Sequence, residues 1–163
     1  MDQKTMGMFA PNLIALCIDG RSDGDYNGRV YNQYHEEPVR FWGMLDAFRC
    51  AEFFLDRMDF PQRSTVPRSF RKRENISCDY GKRPAREEIM SNLENKKGEE
   101  GTFIVQVKYR QNATWQGQVV WAEENKKMYF RSALELLRLI DDALREDGKA
   151  SAPEEDGSVE EAQ

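Results

Sequence analysis

Between Thr102 and Arg110 the chain alternates: Phe103, Val105, Val107 and Tyr109 fall on one side, and Gln106, Lys108 and Arg110 on the other. A period of two predicts a strand with one buried face. Thr114 to Trp121 continues the pattern, with Trp115, Val119 and Trp121 inward and Gln116 and Gln118 outward. Gly117 falls on the inward side, where a missing side chain points to a bulge or a close approach of another element. Lys127 to Phe130 predicts a third strand after a loop around Asn125. The period then changes. Leu134, Leu137, Ile140 and Leu144 share one helical stripe, and Ser132 with Glu135 has the spacing of a capping box. The predicted unit is β-β-β-α over residues 101–145.

The same order recurs upstream. At an offset of 89 residues, 12–56 falls on 101–145 without a gap, and seven of 45 positions are identical, among them Arg21 with Arg110, Gly28 with Gly117 and Leu55 with Leu144. Ile14, Leu16 and Ile18 fall on Phe103, Val105 and Val107. Strands are predicted over Asn12–Asp19, Tyr26–Tyr34 and Pro38–Phe41, with a helix from about Gly43 to Met58. Recurrence of this kind predicts an α+β fold made by tandem duplication of a β-β-β-α unit. Each unit carries spare apolar surface: Leu136, Leu139 and Ala143 widen the second helix's stripe, and Leu13, Ala15 and Cys17 occupy the first strand's outward face. The expectation is an intramolecular pseudo-dimer with antiparallel sheets and packed helices, a true homodimer being the other way to bury that surface. The expected organisation is a first repeat at 12–58, a connector at 59–100, a second repeat at 101–145 and a disordered acidic tail at 146–163.

Composition changes this picture mainly through charge. The net charge of −5 hides a strong division. Residues 62–86 carry +6 and residues 146–163 carry −6, so the total does not exclude an anionic partner. The basic stretch, Arg68, Arg71, Lys72 and Arg73 with Lys82 and Arg83, has Phe70 and Tyr80 among its charges, the mixture used by binders of single-stranded nucleic acid. The plainer reading is a solvated linker. Pro84 to Lys97 predicts a short helix, with Pro at its start and Gly98 after its end.

The chemistry of catalysis is not visible. The one histidine, His35, stands in the loop Tyr34-His35-Glu36-Glu37-Pro38, so neither a multi-histidine metal site nor a nucleophile motif is present. Asp19 to Asp25 is rich in acids without the ligand spacing of a calcium loop, and reads as a turn. Three cysteines, Cys17, Cys50 and Cys78, fit a reducing compartment, and no apolar run is long enough for a membrane helix or a signal peptide. The expected location is cytoplasmic, with no cofactor.

What remains is the outward face of the second unit: Gln106, Lys108, Arg110, Asn112, Gln116 and Gln118. Amides and cations on a pleated face can bind polypeptide or nucleotide edges. The repeated strand-strand-strand-helix order over 12–56 and 101–145 resembles the PUR repeat and Whirly-type single-stranded nucleic-acid binders, which have four strands before the helix. That resemblance is one of element order and implies single-stranded nucleic acid as a partner. Read from the residues alone, the expectation is a non-enzymatic interaction or adaptor module for a protein partner, with single-stranded nucleic-acid binding as the alternative.

Overall fold

The structure is a computed structural model that describes residues 10–71 and 93–145. The expected tail at 146–163, and most of the helix expected over Pro84–Lys97, lie outside the described residues; of the latter, Leu93–Asn95 forms one 3-10 turn.

The fold is α+β, with the element order that the alternation predicts. Strands β1 (Leu13–Ser22), β2 (Asp25–Asn32) and β3 (Val39–Trp42) lead into helix α1 (Met44–Met58). Strands β4 (Gly101–Tyr109), β5 (Gln116–Trp121) and β6 (Lys126–Phe130) lead into helix α2 (Ala133–Ala143). One difference from expectation concerns how the halves meet. The described residues form a single six-stranded antiparallel sheet, in the order β3-β2-β1-β4-β5-β6, in place of two sheets. The spare edges of β1 and β4 satisfy each other's backbone groups, which leaves only the short strands β3 and β6 as edges.

The β1–β4 register is symmetric. Ala15 faces Ile104, Ile14 faces Val105 while Leu16 faces Phe103, and Leu13 faces Gln106 while Cys17 faces Thr102. Each pair maps onto its mirror under the 89-residue offset. The hairpins repeat as well: Ile18 faces Gly28 as Val107 faces Gly117, and Asn27 faces Trp42 as Gln116 lies beside Arg131 after the Gly117–Phe130 pair. Gly28 and Gly117 are required by close approach, because a Cβ would stand 1.9 Å from the Cys17 carbonyl oxygen and 2.0 Å from that of Gln106.

Turns and caps recur at matched positions. Asp23-Gly24 and Asn112-Ala113 both carry two successive positive φ values, the geometry of a tight two-residue hairpin turn. Beside each turn a side chain holds the start of the helix. Met44 N donates to the Asp25 carboxylate at 3.2 Å, and Ala133 N donates to Thr114 Oγ1 at 2.9 Å. The predicted cap is present at α2, where Ser132 Oγ accepts from Glu135 N at 3.0 Å.

Both helices cover one face of the sheet and share one core. Ile14, Leu16, Ile18 and Phe41 join Ala51, Leu55, Phe103, Val107, Phe130, Leu136 and Ile140 in a single buried cluster. Phe48 of α1 packs at a tilt against Trp115, just before β5, with ring centroids 5.2 Å apart, so the core is continuous across the halves. On the opposite face a smaller cluster of Leu13, Ala15, Cys17 and Tyr31 is closed by Leu93. No helix among the described residues is long and apolar enough to cross a membrane.

Candidate interaction surface

A bulge in β4 decides which predicted residues reach this surface. Val107 faces Gly117 but Tyr109 faces Gln116, so Lys108 is an extra residue in the ladder. One inserted residue exchanges the faces beyond it. Tyr109, expected inward, is 58% exposed, and Arg110, expected outward, is buried at 4%. The same shift occurs in β1 between Ile18 and Gly20, and it aims Arg21 toward the end of α2.

Arg110 therefore belongs to a cleft beneath α1. Its Nε donates to Pro61 O at 2.7 Å and its Nη1 to Asp56 Oδ1 at 2.5 Å. Arg63 reaches Asp56 at 2.6 Å and Glu52 at 2.5 Å, and Trp115 Nε1 donates to Glu52 Oε1 at 2.8 Å. The cleft, about 490 Å³, is lined by these groups together with Phe48, Arg49 and Phe53. Each carboxylate here already meets an arginine, so the arrangement binds helix to hairpin. Among the described residues, no group of three or more His, Cys, Asp or Glu is placed to hold a metal ion. His35 sits in a turn organised by Asn32, whose Oδ1 accepts from Tyr34 N at 2.9 Å and His35 N at 3.1 Å.

The outward face of β4, β5 and β6 is a row of amides bordered by an aromatic–cation cluster. Gln118 Nε2 donates to Gln106 Oε1 at 2.8 Å, and Gln118 is buried at 6%. In the ladder Gln118 faces Tyr129, which is 63% exposed. Lys108 and Lys127 each place Nζ 5.6 Å from the Tyr129 ring centroid, within range of the ring's negative face. Gln116 is held by the loop, donating to Gln111 O at 2.9 Å and accepting from Gln111 N at 3.0 Å, and Asn112 occupies the turn at φ 55°. Of the six expected residues, Gln106, Lys108 and Gln118 come together, Gln116 and Asn112 stand at the turn, and Arg110 is on the other side of the sheet. Tyr129 and Lys127 were missed, although extending the outward row from Gln118 to the next strand reaches Tyr129.

The equivalent face of the first unit is closed over Tyr31, with Arg40 exposed at its edge. Lys96 Nζ lies 4.9 Å from the Tyr31 centroid, and Arg29 donates to Lys97 O at 2.8 Å and to Asp19 at 2.8 Å and 3.0 Å. The Arg29 guanidinium holds the Asp19 carboxyl below the usual carboxylate range. Burial pushes the Cys17 thiol up to about 11, which keeps it in the unreactive protonated form.

Of the basic stretch, Arg68 and Arg71 are exposed, with Phe70 fully exposed between them. Lys72, Arg73, Lys82 and Arg83 lie outside the described residues. Other large apolar side chains reach solvent at Trp42 (74%) and at the matched positions Leu45 and Leu134 on the two helices. Comparison of the chain with protein-family models, with curated proteins and with solved structures finds no match.

Proposed function

We propose that this protein is a non-enzymatic interaction module, a tandem duplication of one β-β-β-α unit in which the first copy's outward face is closed and the second copy's serves a protein partner. The duplication is supported by the matched registers, bulges and turns at an 89-residue spacing. The observation that carries the functional reading is the difference between those two faces. Where the first unit has Tyr31 under Lys96 and Leu93, the second leaves Tyr129 exposed between Lys108 and Lys127. An exposed tyrosine with a polar rim is the composition of a protein contact, since aromatic residues are enriched there while lysines stay at the border.

A photoreactive benzoylphenylalanine placed at position 129 tests this, with position 40 as control because Arg40 is the exposed residue matched to Tyr129 in the first unit. The expected result in the native cell is one discrete protein adduct at 129 that is lost with Lys108→Glu and absent at 40. Equal labelling at both positions would remove the basis of the reading.

Single-stranded nucleic acid is a second reading, favoured by the two lysines over one tyrosine ring, since stacking plus phosphate neutralisation uses the same groups. It requires affinity for labelled single-stranded DNA or RNA that falls steeply with salt.

A further inference from the structure

The two units differ where α2 meets the β5–β6 edge. Position for position, Phe54 of α1 corresponds to Ala143 of α2, and Tyr34 in the β2–β3 loop to Glu123 in the β5–β6 loop. In the first unit the Tyr34 ring packs on Phe54, with centroids 5.9 Å apart. In the second, Glu123 instead accepts a hydrogen bond from Thr102 N at 2.9 Å, and Ala143 contributes only a methyl group. The corresponding place is a cavity of about 350 Å³ bounded by Phe103, Val119, Trp121, Met128, Leu139 and Ala143. Its charged neighbours are Lys126, Lys127 and Asp142. The Trp121 indole N–H is buried with no hydrogen-bond partner among the described residues, a donor that a suitable occupant would satisfy.

We infer that this groove receives an aromatic side chain of a partner protein, presented on a segment with neighbouring acidic residues; the inference rests on the protein-interaction reading above. The first unit supplies the template. Tyr34, which packs on Phe54 there, is followed by Glu36, Glu37 and Pro38, whereas the second unit has Lys126 and Lys127 at the positions of Glu37 and Pro38. A segment of that kind entering the second unit brings an aromatic ring to the space beside Ala143, with a flanking carboxylate meeting Lys126 at the border. Lys126 already stands 5.8 Å from the Trp121 centroid, so charge and apolar wall meet at one place. Opposite charge at the border and an aromatic anchor in a pocket are the usual division of labour at a protein contact.

The test uses the full chain, isotopically labelled, and a blocked peptide Gln-Tyr-His-Glu-Glu-Pro-Val, the sequence of residues 33–39. Trp42, Trp115 and Trp121 give three indole N–H resonances, and Trp121→Phe assigns the relevant one. The expected result is a saturable shift of the Trp121 resonance alone. Replacing the peptide's Tyr with Ala abolishes it, Ala143→Phe abolishes it by restoring the first unit's ring, and Lys126→Glu with Lys127→Glu weakens it about tenfold. The Trp115 resonance reports whether each variant is folded, and if Ala143→Phe disturbs it the lysine pair and the peptide variant decide. No shift, a shift indifferent to the peptide's Tyr, or a shift that survives in a folded Ala143→Phe chain overturns the inference. A shift produced by free indole and not by the peptide overturns it in favour of a small molecule. A peptide shift seen only after residues 146–163 are removed overturns it in favour of the chain's own C-terminal segment. Position 129 lies on the opposite face of the sheet and shares only Lys127 with this groove, so a protein adduct there with no peptide effect at Trp121 rejects the groove assignment alone.

Discussion

At one end of the shared core Arg21 pairs with Glu100 at 3.0 Å and donates to the carbonyl of Leu144, with 44% of its side chain exposed. At the other end the matched Arg110, 3% exposed, joins Asp56, Pro61 O and, at 4.0 Å, Glu52. Between them run two more matched ties that cross from one unit to the other: Tyr26 Oη donates to Asp141 at 2.7 Å, and Trp115 Nε1 donates to Glu52 at 2.8 Å. The hairpin that carries Arg21 and Tyr26 thus holds α2, and the hairpin that carries Arg110 and Trp115 holds α1. The positions are shared but the solvation is not, and solvation sets how much each tie contributes.

The largest effect follows from the β1–β4 seam. Residues 101–145 alone would leave the β4 edge unpaired and Phe103 and Val105 without their cover from the other unit. Because the register is symmetric about Ile104 opposite Ala15, a second copy of the same fragment can take the place of the first unit. Sedimentation should find the fragment as a dimer, and a folded monomer would break the equivalence of the two halves.

Next comes the pair of arginines. Arg110→Ala removes a buried guanidinium and leaves the Pro61 carbonyl short of its donor, while the half-exposed Asp56 keeps Arg63, a loss of about 2 kcal/mol. Arg21→Ala acts on a half-exposed pair and should cost under about 1 kcal/mol. Urea midpoints of the two variants measure the contrast, and equal losses would show that burial is not what separates the ends.

How much of this was legible in the chain depends on the residue. Phe103, Val105 and Val107 are buried as their alternation predicts, and Ser132 caps as its spacing predicts. Arg110 and Tyr109 exchange faces because a single added residue at Lys108 changes the phase, and alternation counted from one end carries no mark of a bulge. The identity of Arg21 with Arg110 and of Gly28 with Gly117 held the signal, since an outward arginine has little reason to recur. The groove beside Trp121 was equally invisible to periodicity, because Ala143 and Phe54 are both apolar and only their difference in size makes the space.

A smaller contrast appears at alkaline pH. Burial, reinforced by the hydrogen bond to Asp141, pushes the Tyr26 hydroxyl up to about 12 from its ordinary value of 10.0. The folded chain therefore holds this proton more tightly than the unfolded chain does. Its contribution is complete below pH 10 and is lost as pH rises toward 12. The matched Trp115 has no group that titrates there. The urea midpoint of the parent should fall further across that window than that of Tyr26→Phe, and parallel curves would place the ionisation elsewhere.

The smallest expected effect is at the two hairpin turns, where it can be measured in both directions. Ala113 holds φ 56° at the position where the first unit has Gly24 at φ 79°. A residue with a Cβ is strained in that region by roughly 1–2 kcal/mol, and glycine gives back part of this through its freer unfolded chain, about 0.4–1 kcal/mol. Ala113→Gly should therefore stabilise by about 0.5–1 kcal/mol. A Cβ at Gly24 meets nothing within 4 Å, so Gly24→Ala tests the backbone cost without a clash and should destabilise by a similar amount. The double exchange, which moves the glycine from the first turn to the second, should then leave the urea midpoint close to that of the parent, because the turns lie in separate hairpins and share no partner. If Ala113→Gly is neutral while Gly24→Ala is costly, the turns are not interchangeable, and the matched φ values would reflect a shared shape without a shared energy.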